Sequence, residues 1–481
     1  MSFFNRPSNH RCIPVVPMFV LSLLLSAPIN GESTERTYAL QTRDSSRRVA
    51  NVRVEFVAEG HLKTPGEKNV EEVPMHVSAE LTFQDRFLGD LSNPHVARSL
   101  CAARYYNNVN VQMTVGKQNM QPSLRESRKL IGLCRTQNGS LDYFSADGSL
   151  TRDELDLIRL PGDRQALPLL LPKKPVRIDS AWKLDPAAMA AILALDAVGD
   201  CDVQSKLTGI EQGFARVEFA GVVHGAVAGV ATEVTLKGRY YFYLRHGEFA
   251  SMQMVTREQR DIGHINPGVD VTARLKMRLE PQSDAGYLSD AEILPLHEVK
   301  DENIRKLHYE SPELGLAFDY DSDWYATAED RRAVVFRQLM QGDLIAQCNV
   351  SKLPSIKKGK ALTLNQFEKD IRGNLDKNFG SFVTANERTT EQGYLIYRVE
   401  ALGTASAIPV RWIYYLLSDT TGRRVAIVFT MERDQEKHFN NADLDWIQNL
   451  EFLSLETPTP GDQEAKSGEE SKRINTDSPV S

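Results

Sequence analysis

The sequence predicts an α+β protein made of two β-rich domains joined by a polar connector. Three observations lead there. Period-two alternation of apolar and polar side chains recurs up to residue 137 and again after Cys201. Two short helical segments with cap signals lie between those β stretches, and from Leu307 a second set of strands begins, broken by one helix and closed by another. The chain has 481 residues, 41% hydrophobic and 25% charged, so disorder throughout is excluded. That length corresponds to roughly two to four folded units. With 57 basic against 64 acidic residues it lacks the basic excess of a nucleic-acid binder, and no nucleic-acid partner is expected.

Residues 1–31 read as a secretory signal. Arg6 and Arg11 form the positive region, Ile13 to Leu25 the apolar region, and Ser26, Ala27 and Gly31 supply small residues for cleavage before Glu32. The alternative is a signal retained as an anchor. The apolar run is short for a bilayer, however, and Pro14 and Pro17 weaken it as a helix. No later stretch has transmembrane length, so the expected location is secreted or periplasmic, in a cell envelope, with no transmembrane segment once the signal is removed. Cys12 precedes the apolar run, unlike a lipoprotein cysteine. Export leaves Cys101, Cys134, Cys201 and Cys348, too few for a disulfide scaffold and without a C-x-x-C. At most one disulfide is expected, between Cys101 and Cys134 if their strands are in register, with buried thiols as the alternative.

The first domain spans 36–281. Val52, Val54, Phe56 and Ala58 alternate with polar neighbours, as do Val73, Met75, Val77, Ala79, Leu81 and Phe83, which is the pattern of strands with one buried face. Further strands are expected over Ala97 to Val115 and Leu124 to Thr136. Thr151-Arg152-Asp153-Glu154 fits a capping box, and Asp185-Pro186 starts a second helix running to about Leu195. Between them Pro161, Pro168, Pro172 and Pro175 break up a connector. Long strands then return. Val269, Val271, Ala273, Leu275, Met277 and Leu279 form one apolar face, and Val234, Leu236, Tyr240, Phe242 and Leu244 another. Glu211-Gln212-Gly213, His246-Gly247 and Asn266-Pro267-Gly268 mark the hairpins.

A polar linker over 282–306 leads to the second domain, 307–453. A hairpin from His308 to Tyr320 is followed by Trp324, strands near 332–338 and 343–352, and a helix from Thr363 to about Lys377. Strands near 382–388, 393–402, 408–417 and 423–431 precede a helix over Asp443 to Leu450. The tail, 457–481, is rich in Pro, Ser, Glu and Lys and is expected to be disordered.

Residues 307–453 resemble the PsbP-like and DcrB-like α/β/α sandwich. The resemblance rests on Tyr309-Glu310-Ser311-Pro312, then Gly315-Leu316-Ala317-Phe318 and an acidic turn to Trp324. The helix at Leu364 to Leu375, the strands through Trp412-Ile413-Tyr414-Tyr415 and Val425-Ala426-Ile427-Val428-Phe429, and the closing helix also fit. It implies an envelope or lumen protein that binds other proteins and carries no catalytic signature. The first domain's order of strands, central helices and more strands is similar to the half-barrel of LolA-like and LppX-like carriers. That similarity implies a curved antiparallel sheet packed on the central helices around an apolar cavity.

Candidate chemistry is sparse. His224, His246 and His264 fall within about 40 residues and could bind zinc if they converged, but the hairpin at His246 separates them, so no metal or cofactor is expected. Gly221, Gly225 and Gly229 are expected on one face of a strand, where a bent strand or close approach by the central helix explains them. Ser180-Ala181-Trp182-Lys183 and Ser355-Ile356-Lys357-Lys358 match S-x-x-K without the accompanying S-D-N and K-T-G. Asp153 and Glu154 suit a helix N-terminus better than a glycosidase pair. Arg216, Lys237, Arg239, Arg274, Lys276 and Arg278 are expected to share one sheet face, read first as a solvated face laced with Glu218 and Glu233 and otherwise as a contact surface for anionic lipid or polysaccharide. No catalytic residues are assigned. The expectation is an exported, non-enzymatic binding or accessory factor whose partner is another envelope protein. The alternatives are a carrier of a lipid or other apolar ligand, and a hydrolase without a recognisable motif.

Overall fold

Strands that bury one face and wet the other assemble laterally until both edges are short or covered. In the computed structural model, which describes residues 36–43, 49–66, 69–88, 100–136, 140–357 and 362–454, twelve such strands form one antiparallel sheet. They are β1 (Val49–Pro65), β2 (Val70–Phe87), β3 (Leu100–Val115), β4 (Gln118–Met120), β5 (Leu130–Arg135) and β6 (Leu141–Ser145). After the central helices come β7 (Ala181–Lys183), β8 (Ala197–Glu211), β9 (Phe214–Val227), β10 (Val230–Tyr243), β11 (Glu248–Arg260) and β12 (Gly268–Gln282). Their spatial order is β6-β5-β3-β2-β1-β12-β11-β10-β9-β8-β7, with β4 on β3. The two meanders therefore merge where β1 meets β12, with Val52 opposite Leu279 and Val54 opposite Met277. The expected signal (1–31) and tail (457–481) lie outside the described residues.

Hairpin chemistry sets the register. Gln212 and Gly213 (φ 49° and 85°) turn β8 into β9, and Ala228 and Gly229 (φ 50° and 78°) turn β9 into β10, both as left-handed pairs that match strand twist. Gly229 thus sits in a turn, and the expectation that it shares a strand face with Gly221 and Gly225 is corrected. A Cβ on Gly221 would meet the Asp202 carbonyl oxygen at 1.9 Å, so the neighbouring strand, not a helix, demands glycine there.

The inner face packs on the central segment. Helix α1 (Arg152–Ile158) has the capping box at Thr151 and Glu154, with both reciprocal bonds formed. A 3₁₀ helix (Arg164–Leu170) occupies the Pro-rich connector, and α2 (Pro186–Leu193) follows. Asp185 precedes α2 without a side-chain cap and pairs with Lys173 at 2.8 Å instead. Leu155, Ile158, Leu167, Leu170, Met189 and Ile192 are buried against Val54, Phe83, Val203, Val217, Tyr240 and Met252. On the outer face, the 282–306 segment folds into helix α3 (Asp290–His297). Leu288, Ile293, Leu296 and Ile304 cover Val49, Ala103, Cys134 and Phe144 there.

The second lobe begins with β13 (Lys306–Ser311) and β14 (Leu316–Asp321). Strands β15 (Trp324–Glu329), β16 (Ala333–Met340) and β17 (Asp343–Leu353) precede helix α4 (Leu364–Leu375). Then come β18 (Phe379–Thr389), β19 (Leu395–Ala405), β20 (Ile408–Ser418), β21 (Arg424–Glu432), helices α5 (Glu436–Phe439) and α6 (Ala442–Gln448), and β22 (Glu451–Phe452). A seven-stranded sheet of order β15-β16-β17-β21-β20-β19-β18 lies beside the three-stranded β13-β14-β22. Ile371 and Leu375 of α4 pack on Val399, Ala401, Val410 and Trp412, whereas Trp446 of α6 packs with Phe318, Trp324, Phe336 and Phe429 in a separate aromatic cluster.

The lobes are joined tightly, and the described residues from Thr37 onward form one compact unit. Leu150 bridges to Leu307, and Arg152 donates to the Ser322 and Trp324 carbonyls at 2.5 and 3.0 Å. Turn meets turn at Gly229 and Gly342, where a Cβ on either would come within 2.4 Å of the other's backbone. All four described cysteines are free and buried. Cys134 stands opposite Leu100 in the β3–β5 ladder, so Cys101 projects to the inner core and Cys134 to the outer cluster. That opposition of faces rules out the disulfide considered for this pair.

Candidate binding surface

The outer face of β8 to β12, beyond the reach of α3, carries the outward half of each alternating strand. The ladders place these side chains in cross-sheet rungs. One runs Lys206, Glu218, Arg239, Gln253, Lys276 and on to Glu55 of β1; the next runs Gln204, Ala220, Lys237, Val255, Arg274 and on to Val57. Together they line an open trough of about 590 Å³, large enough for part of a ligand or a peptide segment. Ala220 and Val255 make its floor; Gly238 lacks a Cβ on the opposite, inner face, where the buried Phe219 ring takes that space. Long cationic side chains make its walls.

All six basic residues expected on one face share it, and Arg216, Tyr241, Ser251 and Arg278 form the adjoining rung. Among the acidic residues, Glu218 lines the trough between Lys206 and Arg239, and Glu55 and Glu59 stand at its β1 margin. Glu55 lies 3.7 Å from Lys276, Glu59 lies 3.7 Å from Arg274, and Glu218 lies 4.0 Å from Arg216. Long, exposed pairs of this kind contribute about 0–1 kcal/mol and are readily exchanged for another anion. Arg239 donates to Gln253 Oε1 at 3.0 Å. Glu233 lies away from the trough, beside His224 at 3.4 Å.

Elsewhere the ionisable groups serve the fold. Asp85 accepts from Arg104 Nε and Nη2 at 2.9 and 2.7 Å, and from Arg164 and Gln165 at 2.7 and 2.9 Å. Asp163 accepts from Arg104, Tyr143 and the Gln165 amide. Burial works to raise the Asp163 pKa, but Arg104 and these hydrogen bonds hold it below the usual carboxylate range. In the second lobe Arg398 and Tyr415 donate to buried Asp443 at 2.9 and 2.6 Å, while Arg398 and Arg411 hold Glu400. Burial pushes the Cys101 and Cys134 thiols up to about 12, which keeps them inert.

Two further spaces border the central helices. Beside α2 is a cavity of about 50 Å³ whose lining includes Arg135, Tyr143, Arg159 and Asp163. It holds water-sized contents, not an acyl chain. Between the lobes a cleft of about 580 Å³ mixes Arg152, Arg159 and Arg305 with Asp142, Asp196 and Asp323.

The three histidines are not brought together. His224 is exposed on β9 between Asp200 and Glu233, His246 packs its ring on Tyr243 in the β10–β11 turn, and the His264 carbonyl accepts from Arg337. Among the described residues no group of three or more His, Cys, Asp or Glu side chains has metal-binding geometry. Ser180 Oγ accepts from the Arg177 amide and so serves a turn, and Glu154 is the partner of Arg125 as well as the capping residue. Sequence reading missed the ion cluster around Arg104 and the lobe junction. Their members are far apart in the chain, and no local pattern marks them.

No protein-family model matches the chain, and no curated protein matches it. Among solved structures, cyanobacterial PsbP (CyanoP) from Synechocystis is similar at 16% identity and a TM-score of 0.25, covering 31% of this chain and 93% of that one. A protein from Bacteroides thetaiotaomicron is similar at 12% identity and a TM-score of 0.24, covering 32% of this chain and 50% of that one. Lipovitellin, from a structure titled for its lipid–protein interactions, is similar at 12% identity and a TM-score of 0.28, covering 49% and 25%.

Proposed function

We propose that this chain is an exported, non-enzymatic accessory factor that binds another envelope protein through the outer face of β8 to β12. The trough carries this reading. It is a wide, open, cation-walled concavity crossing five strands, built of side chains suited to contact, with no nucleophile paired to a base in its lining. The signal-like 1–31 segment supports an extracytoplasmic setting. A carrier of apolar ligand would instead need an apolar cavity by α2, where the space is about 50 Å³.

The test is site-specific photocrosslinking in cells exporting the full chain. A benzophenone side chain at Val255 or Ala220 is expected to trap one discrete partner, and the same probe at exposed Val383 on β18 is expected to trap none. Equal trapping at all three positions, or none at any, removes the reading. Retention of the uncleaved chain in the cytoplasm removes the exported setting.

A further inference from the structure

Resting on that docking reading, we propose that the trough recognises an extended peptide segment bearing acidic side chains at alternate positions. The geometry behind this is the placement of four cations around β11. Arg239 and Lys276 flank Gln253 in one rung, and Lys237 and Arg274 flank Val255 in the next. Flanking residues are two strands apart, about 9.5 Å, and the rungs are two residues apart, about 6.7 Å. The four cations therefore stand at the corners of a rectangle whose interior holds an amide and an isopropyl group but no anion.

An extended chain repeats its side chains on one face at the same spacing of about 6.7 Å. Laid along β11, it would place one carboxylate between Arg239 and Lys276 and the next, two residues on, between Lys237 and Arg274. Each carboxylate would be reached from both sides by a long, flexible cation. Lys237 has no ion-pair partner among the described residues, and the pairs of Arg274 and Lys276 to Glu59 and Glu55 are 3.7 Å long and exposed. A ligand anion therefore displaces little.

The rest of the trough selects among polyanions. A flat bilayer makes poorer contact than an extended peptide with a trough whose floor is Ala220 and Val255. Small apolar floor residues suit the alkyl parts of peptide side chains.

The experiment uses the mature full-length chain and fluorescent 11-residue peptides read by anisotropy. One peptide alternates Glu with Ala; a second, of equal composition, groups its glutamates in one block. The alternating peptide is expected to bind about tenfold more tightly and to lose about tenfold in affinity on raising salt from 50 to 300 mM. Lys237→Glu/Arg274→Glu is expected to abolish binding, and Lys237→Gln/Arg274→Gln to weaken it by about tenfold, with unchanged thermal melting as the folding control. Equal binding of both peptides, no binding of either, or full binding by the charge-reversed variant overturns the proposal. So does tighter binding of phosphatidylglycerol vesicles or heparin than of the alternating peptide. If the Val255 crosslink persists in the charge-reversed variant, the acidic-segment proposal fails while the docking reading stands. Loss of the crosslink in every background fails both.

Discussion

Arg104 is a cation with no route to water: 2% of its side chain is exposed, and the carboxylates of Asp85 and Asp163 close on it from two elements. Removing the charge leaves buried Asp163 without its cation and leaves Arg164 alone to compensate the neighbouring Asp85 carboxylate. Arg104→Met is therefore expected to destabilise the folded chain by about 3–5 kcal/mol. The effect is measured by urea unfolding at neutral pH. Asp163 titrates below its unfolded value, so its contribution is present above about pH 4 and is lost as pH falls through the lower folded pKa. The cost of Arg104→Met should accordingly shrink in acid, and a cost that is the same at pH 3 and pH 7 would refute the assignment. Nothing in the sequence announces this cluster, because Asp85 and Asp163 stand 19 and 59 positions from Arg104 and meet it through long-range pairing. The basic outer face was legible, since strand alternation alone puts Lys237, Arg239, Arg274 and Lys276 on one side.

Within single elements, local chemistry is the guide wherever a short-range rule acts. The α1 capping box and the Gln212-Gly213 turn follow from residues three apart or adjacent. The 3₁₀ helix at Arg164–Leu170 and helix α3 were less visible, because prolines interrupt the first and charged residues surround the few apolar contacts of the second. Glycine on β8 and β9 separates two cases. A Cβ at Gly221 would strike the Asp202 carbonyl oxygen at 1.9 Å and Val203 Cα at 2.6 Å, whereas one at Gly209 meets nothing within 4 Å. Gly221→Ala should cost about 2–3 kcal/mol and Gly209→Ala no more than about 0.5 kcal/mol, as read from denaturant midpoints. Equal effects would mean that β8 shifts to make room.

The whole molecule is held by the junction of its two lobes, where a turn of the large sheet touches a turn of the smaller one. Gly229 and Gly342 both lack a Cβ at that point and both have positive φ, 78° and 96°. Gly229→Asn keeps a residue type that tolerates the left-handed conformation yet adds a Cβ 2.4 Å from Gly342 Cα. Calorimetry of the full chain is then expected to show a lowered or an additional transition relative to the parent, with Ala228→Asn as the neighbouring control that leaves the parent's trace intact. An unchanged transition in Gly229→Asn would show that the turns can part at no cost.

Alternation, caps and turn residues are short-range features, so the strands, the central helices, the second β-rich unit and the basic face follow from the order of residues. Pairing across the fold is long-range. The merger of two meanders at β1 and β12, the opposite faces taken by Cys101 and Cys134, and the rectangle of cations around β11 depend on register between strands distant in the chain. Register is chosen by which apolar faces can be buried together, a property of the assembled sheet and not of any one segment.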